Sequence, residues 1–136
     1  MWRHFHHEAN IGVVGQGETL EQAFEEAAVA LTAVITDPQS VVCRETVTLD
    51  CEAPDAELLL VDWLNAIVYE MATRRMLFSR FSVELHDNRL HGTACGEPVD
   101  VPLHQPAAEV KGATYTALEI HADADGIWHA QCVVDV

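Results

Sequence analysis

The side chains able to do chemistry are eight histidines, four cysteines and 22 carboxylates, set against seven Lys and Arg in 136 residues. His4, His6 and His7 crowd the N-terminal stretch MWRHFHHE. Their spacing suits a transition metal held through imidazole nitrogen, and it equally suits a polar entry to a strand. At the other end, Asp135 is the penultimate residue, beside the α-carboxylate of Val136. That pairing offers several hard oxygens within one residue, the donor set of Ca²⁺ or Mg²⁺ rather than Zn²⁺. The plain alternative is a frayed acidic tail. Glu97, Asp100, His104, Glu109 and Lys111 fall between Gly96 and Thr114, a polar stretch punctuated by Pro98, Pro102 and Pro106. A segment of that length without periodicity marks a functional or mobile loop.

Other candidates are weaker. Cys43, Cys51, Cys95 and Cys132 stand singly on expected strands with no Cys-x-x-Cys pair, which reads as four buried, reduced thiols of a cytosolic protein. Asp123-x-Asp125-Gly126 resembles part of a calcium loop, yet the EF-hand positions that must be acidic are His121 and Cys132. Gly15-Gln16-Gly17 lacks the third glycine of a dinucleotide site, and neither Ser79 nor Ser82 sits in Gly-x-Ser-x-Gly.

The elements that position these residues follow from periodicity. Ala9, Ile11 and Val13 alternate with Asn10, Gly12 and Val14, so a strand is expected there with Asn10 off the main core face. Gly15 and Gly17 are expected to turn the chain through positive φ, and Thr19-x-x-Gln22 forms a capping box. A helix then runs toward Pro38, with Leu20, Phe24, Ala27, Leu31 and Val34 on one stripe and Glu18, Glu21, Glu25 and Glu26 opposite. Val41 to Ala53 alternates as a long strand. Asp55 caps a second, more buried helix ending at Arg74 and Arg75. Leu77 to Leu85 and Leu90 to Cys95 form a hairpin through Asp87-Asn88, and Tyr115 to Ala122 and Ile127 to Val134 form another. In the last strand Trp128, Ala130, Cys132 and Val134 share one face, which leaves Asp135 off the core face, as Asn10 is. The fold class is α+β, a mostly antiparallel sheet with two main helices in a single domain, 1–136.

The formal charge of −15 repels polyanions. Direct nucleic-acid binding, which relies on Lys and Arg neutralising phosphates, is therefore not expected; a basic protein partner is. The apolar run Leu58 to Met71 is broken by Asp62, Asn65 and Glu70, so no membrane span is expected. With no signal peptide evident, a cytoplasmic location is.

Together these residues are similar to the archease family, the small accessory proteins of RtcB-type RNA ligases. The resemblance runs nearly end to end. It rests on His7-Glu8-Ala9-Asn10-Ile11-Gly12, similar to the family's His-Thr-Ala-Asp-Ile-Gly, and on Thr19 to Phe24 leading to Val34-Ile35-Thr36-Asp37. It continues through Leu58 to Asn65, Gly96-Glu97, Lys111 to Tyr115 and the terminal Asp135-Val136. It implies a strand-helix-strand-strand unit with an inserted module. It also implies a non-catalytic activator that promotes guanylylation of the ligase and multiple turnover in tRNA splicing or RNA repair. The metal site it implies is Asn10, Asp135 and Val136, with Asp37 as an additional carboxylate and Ca²⁺ favoured over Mg²⁺ or Mn²⁺. Asn10 stands where the family has Asp, so weaker affinity is expected. His7, Glu97 and Lys111 become candidate partner contacts, and a Glu97–Lys111 ion pair ordering the loop is an equal expectation. The competing reading from the residues alone is a stand-alone metal-dependent hydrolase built on His7, His104, Glu97 and Asp135.

Overall fold

The computed structural model describes residues 1–136. Strand β1 (Trp2–His7) turns back at Glu8 and Ala9 into β2 (Asn10–Gly17), which leads to helix α1 (Leu20–Ile35). The capping box forms: Thr19 Oγ1 accepts from Gln22 N at 3.1 Å, while Gln22 Oε1 accepts from Glu18 N at 2.9 Å. After a 3₁₀ turn (Pro38–Ser40) come β3 (Glu45–Glu52) and α2 (Ala56–Arg74). Strands β4 (Met76–His86) and β5 (Arg89–Pro98) follow, then a single turn α3 (Val101–His104) and β6 (Gly112–Ala113), β7 (Glu119–Ala122) and β8 (Trp128–Asp135).

Two antiparallel sheets result. One has the order β1-β2-β8-β6, with β7 also pairing β8; the other is β3-β5-β4. Helix α1 lies on the first sheet and against β4, sealing Phe24, Ala27, Ala28 and Leu31 completely. Helix α2 joins the same core through Trp63, whose Nε1 donates to Phe24 O at 3.1 Å. Its N-cap is Asp55, as expected, and its last turn closes on Arg75 in the left-handed conformation.

The structure corrects several expectations. The histidine-rich start is a full strand rather than a strand entry. Gly15 and Gly17 lie within β2 with ordinary extended backbone, and Gly126 is the one glycine at positive φ. What Gly15 supplies is room: a Cβ there would stand 2.1 Å from Ala23 O and 2.2 Å from Ala27 N, so the missing side chain lets α1 press onto the sheet. The strand expected from Val41 begins at Glu45, and the one expected from Tyr115 is confined to Glu119–Ala122. The stretch expected to be loop from Gly96 contains the end of β5, α3 and β6. Finally, Cys43 and Cys95 are not free thiols. They form a disulfide whose Cα atoms are 5.0 Å apart, a pairing that no single-sequence spacing reveals. Only Cys51 and Cys132 remain as thiols, with burial pushing them up to about 11 and about 12.

Candidate functional site

Strands β2 and β8 run antiparallel with Ile11 opposite Val134, so Asn10 and Asp135 meet one step further along, on the sheet face away from α1. Side-chain alternation puts both there, because every second residue of a strand faces the same way. Asn10 Nδ2 donates to Asp135 Oδ1 at 3.1 Å, and Asn10 Oδ1 accepts from Val136 N at 3.3 Å. Asn10 is half-buried and Asp135 exposed. His7 is the cross-strand neighbour of Asn10 in the β1–β2 hairpin. On the other side of β8, Lys111 N donates to Asp135 O at 2.8 Å and Gly112 pairs with Asp135.

Residue Asn65 holds that second side in place, a role its position in an apolar helix did not suggest. Its Oδ1 accepts from Ala113 N at 2.8 Å, and Nδ2 reaches Ala113 O at 3.5 Å, so α2 grips both polar groups of a β6 residue. Asn65 lies on an exposed position of α2, so burial did not require a partner, and no local pattern in the sequence pointed to this contact.

Asp37 lies outside this network. Its Oδ1 accepts from Gln39 N at 3.0 Å, capping the 3₁₀ turn. Glu97 belongs to a different cluster. Its side chain is nearly buried, and it accepts from Val42 N at 2.8 Å, from Arg44 Nε at 3.1 Å and from His104 Nε2 at 3.0 Å. The Val42 amide foremost, then His104 and Arg44, holds its carboxyl below the usual range. Its ionic partner is thus Arg44 and not Lys111, whose side chain is exposed. His104 Nδ1 accepts from Asp100 N at 2.9 Å, which leaves the imidazole proton on Nε2 to donate to Glu97.

These positions dismantle the hydrolase constellation. His104 and Glu97 are buried and committed to each other, and no group of three or more His, Cys, Asp or Glu residues is arranged to hold a metal. His4, from the N-terminal cluster, is spent on the carbonyl of Ala30, 2.7 Å from its Nε2.

The chain matches the sequence profile of the Archease protein family (MTH1598/TM1083) over residues 2–136. This chain belongs to the archease family. Protein archease of Pyrococcus furiosus is 36% identical over 99% of this chain and 98% of its own length. That of Thermococcus gammatolerans is 39% identical over the same shares. The solution structure of Methanobacterium thermoautotrophicum protein 1598 superposes with a TM-score of 0.85 at 34% identity, covering 99% of this chain and 98% of that one. The crystal structure of a Thermotoga maritima archease, described as a possible chaperone, shares the fold with a TM-score of 0.65 at 19% identity, covering 97% and 94%. The α+β archease architecture expected from the sequence is the one observed. Asn10 and Asp135 thus sit side by side at one end of the adjacent inner strands β2 and β8, between β1 and β6.

The donor chemistry of that junction can be weighed against a divalent cation. All candidate donors are hard oxygens, as Ca²⁺ prefers, and the Asn10 and Asp135 atoms stand 3.1 Å apart, a span that two ligands each about 2.3–2.6 Å from one ion can share. The Asn10 amide must turn, however, since it presents nitrogen to Asp135. Doing so exchanges the Asn10–Asp135 hydrogen bond for coordination and removes the acceptor of Val136 N–H. The residues fit a cation, at a cost that an aspartate at position 10 would not carry.

Proposed function

We propose that this archease is a non-catalytic activator of an RtcB-type RNA ligase, promoting the ligase's guanylylation and multiple turnover in tRNA splicing or RNA repair. The observation that carries the reading is the Asn10–Asp135–Val136 cluster joining two strands from opposite ends of a chain that matches the archease family throughout. A divalent cation, Ca²⁺ before Mg²⁺ or Mn²⁺, would be held by Asp135, the turned Asn10 amide and the carboxylate of Val136; Asp37 would join only by leaving Gln39 N–H. The ion would supply positive charge beside the carboxylates of Asp135 and Val136. His7 and Lys111 flank that end of the β2–β8 pair and are the partner contacts, whereas Glu97 acts from inside by ordering the loop. The formal charge of −15 would speed encounter with a basic, RNA-binding ligase without drawing the archease itself to RNA, and the shared compartment would be the cytoplasm.

The test is multiple-turnover joining of a 3′-phosphate RNA to a 5′-hydroxyl RNA with the cognate ligase limiting. Added archease raises the rate several-fold, and Asp135→Ala abolishes the gain. No gain with the native chain refutes the activator role; a gain that survives Asp135→Ala removes the metal site as its basis. Phosphoester turnover by the archease alone would reinstate an enzyme.

A further inference from the structure

The disulfide and the buried Glu97 fasten the same two segments. Val42 and Arg44, the neighbours of Cys43, both donate to the Glu97 carboxylate, and Arg44 N donates to Gly96 O at 2.9 Å. Across from them, Cys95 and Glu97 are two residues apart on β5. Residues 41–44 precede β3 and take no part in a strand ladder, so this cluster is their main attachment to β5. Glu97 then passes the connection on: it receives His104 Nε2, His104 Nδ1 accepts from Asp100 N, and Asp100 Oδ1 accepts from Leu103 N at 3.2 Å. The turn α3 is thereby pinned with Val101 and Leu103 facing solvent, 64% and 56% exposed.

The two sulfurs are unequal. Cys43 is an exposed residue and Cys95 is 7% exposed, so an incoming thiol meets Cys43 first. Burial raises the thiols of Cys51 and Cys132, to about 11 and about 12, which lowers the thiolate either one can offer for exchange.

We propose that the Cys43–Cys95 pair is a thiol–disulfide switch, operated by a dithiol reductant, that sets how firmly residues 41–44 and the α3 turn are held to the body. One thiolate of the reductant attacks Cys43 Sγ, and the Cys95 thiolate leaves and takes a proton. The second thiol of the reductant attacks its own sulfur in the mixed disulfide and releases Cys43 as the second thiol. The protein gains two electrons and two protons, and the reductant departs as its cyclic disulfide. With the bond open, residues 42–44 are held to β5 only by their hydrogen bonds to Glu97 and Gly96 and by the Arg44–Glu97 ion pair, and the Glu97–His104 contact loosens with them. Thr36 Oγ1, which donates to His104 O, and Ala107 N, which donates to Ile35 O, keep the turn from leaving altogether. Reduction thus softens an exposed apolar turn without unfolding the domain. This inference does not depend on the ligase reading.

The test uses the full chain equilibrated in mixtures of reduced and oxidised dithiothreitol, with amide exchange followed residue by residue and alkylation reporting Cys43 and Cys95. Reduction should speed exchange at Val42, Arg44 and Leu103 by about tenfold or more, while Leu60 and Leu64 in α2 change by less than about twofold. Cys43→Ser should show the reduced pattern in every mixture. If that variant fails to fold, the reduced native chain carries the same comparison. Unchanged exchange on reduction refutes the switch. So does equal loss of protection everywhere, which would make the bond a structural staple, and so does failure of the pair to oxidise in the dithiothreitol series.

Discussion

Replacing Asn10 with aspartate changes one NH₂ for one oxygen at the centre of the junction, and the sign of the interaction with Asp135 inverts. A donor 3.1 Å from Asp135 Oδ1 becomes a second negative charge at about that distance. Two unit charges there repel by about 1.3 kcal/mol at the dielectric of water and about 5 kcal/mol at an effective value of 20. Asp135 is exposed and Asn10 half-buried, so the lower figure governs, and the lost hydrogen bond adds about 1 kcal/mol. In chelator, Asn10→Asp should therefore melt below the native chain by roughly 4–10 °C, at about 2–4 °C or slightly more per kcal/mol for a domain of this size. With millimolar Ca²⁺ the order of response reverses. The aspartate variant should regain its loss and continue to climb, because two carboxylates now share a cation, whereas the native chain should rise only slightly. Differential scanning calorimetry across a Ca²⁺ series reads both effects. An aspartate variant as stable as the native chain in chelator, or a Ca²⁺ response equal in the two proteins, would refute the reasoning.

Gly15→Ala should destabilise the domain by about 3 kcal/mol or more, since the new methyl collides with α1 backbone rather than with a side chain that can move; urea unfolding measures it. Asn65→Ala should cost about 0.5–1.5 kcal/mol by removing an exposed acceptor of the Ala113 amide, and in ligation assays it should lower activation through β6 while leaving α2 helical by circular dichroism. Because its partners hold the Glu97 carboxyl below its ordinary value, Glu97 contributes stability above its unfolded value and loses it as pH falls through the folded one. Below about pH 5 the native chain should therefore lose stability more steeply than Glu97→Gln, which calorimetry at successive pH values would show.

Where the sequence carried a cap it was enough, and its periodic runs located the strands, although those expected from Val41 and Tyr115 began later, at Glu45 and Glu119. The Thr19–Gln22 box, the Asp55 cap and the alternation that turns Asn10 and Asp135 outward are all local consequences of backbone geometry, and the structure contains each. The failures share a cause. Gly15 looked like a turn because glycine serves both positive φ and close approach, and only the position of α1 tells which. WRHFHH has too few apolar residues to announce a strand that pairs along a single edge. Glu97 looked like an ion-pair partner of Lys111 or a contact for a partner protein because nothing near it in sequence discloses Val42 or Arg44, and its grouping with His104 was right in membership but not in chemistry. The Cys43–Cys95 bond likewise joins residues 52 apart, a relation set by tertiary folding alone.

Because β8 is the last strand of the sequence yet lies inside its sheet, the order of synthesis leaves β2 waiting. Asn10 and Asp135 are 125 residues apart, so at about 5–20 residues per second the edge of β2 stands open for roughly 6–25 s on each ribosome. During that interval α1 can cover one face of β2 and β1 one edge, but the other edge offers unpaired amides to any passing strand. Completion of the sheet is therefore timed by translation, and a slow codon late in the message would prolong the exposure of β2.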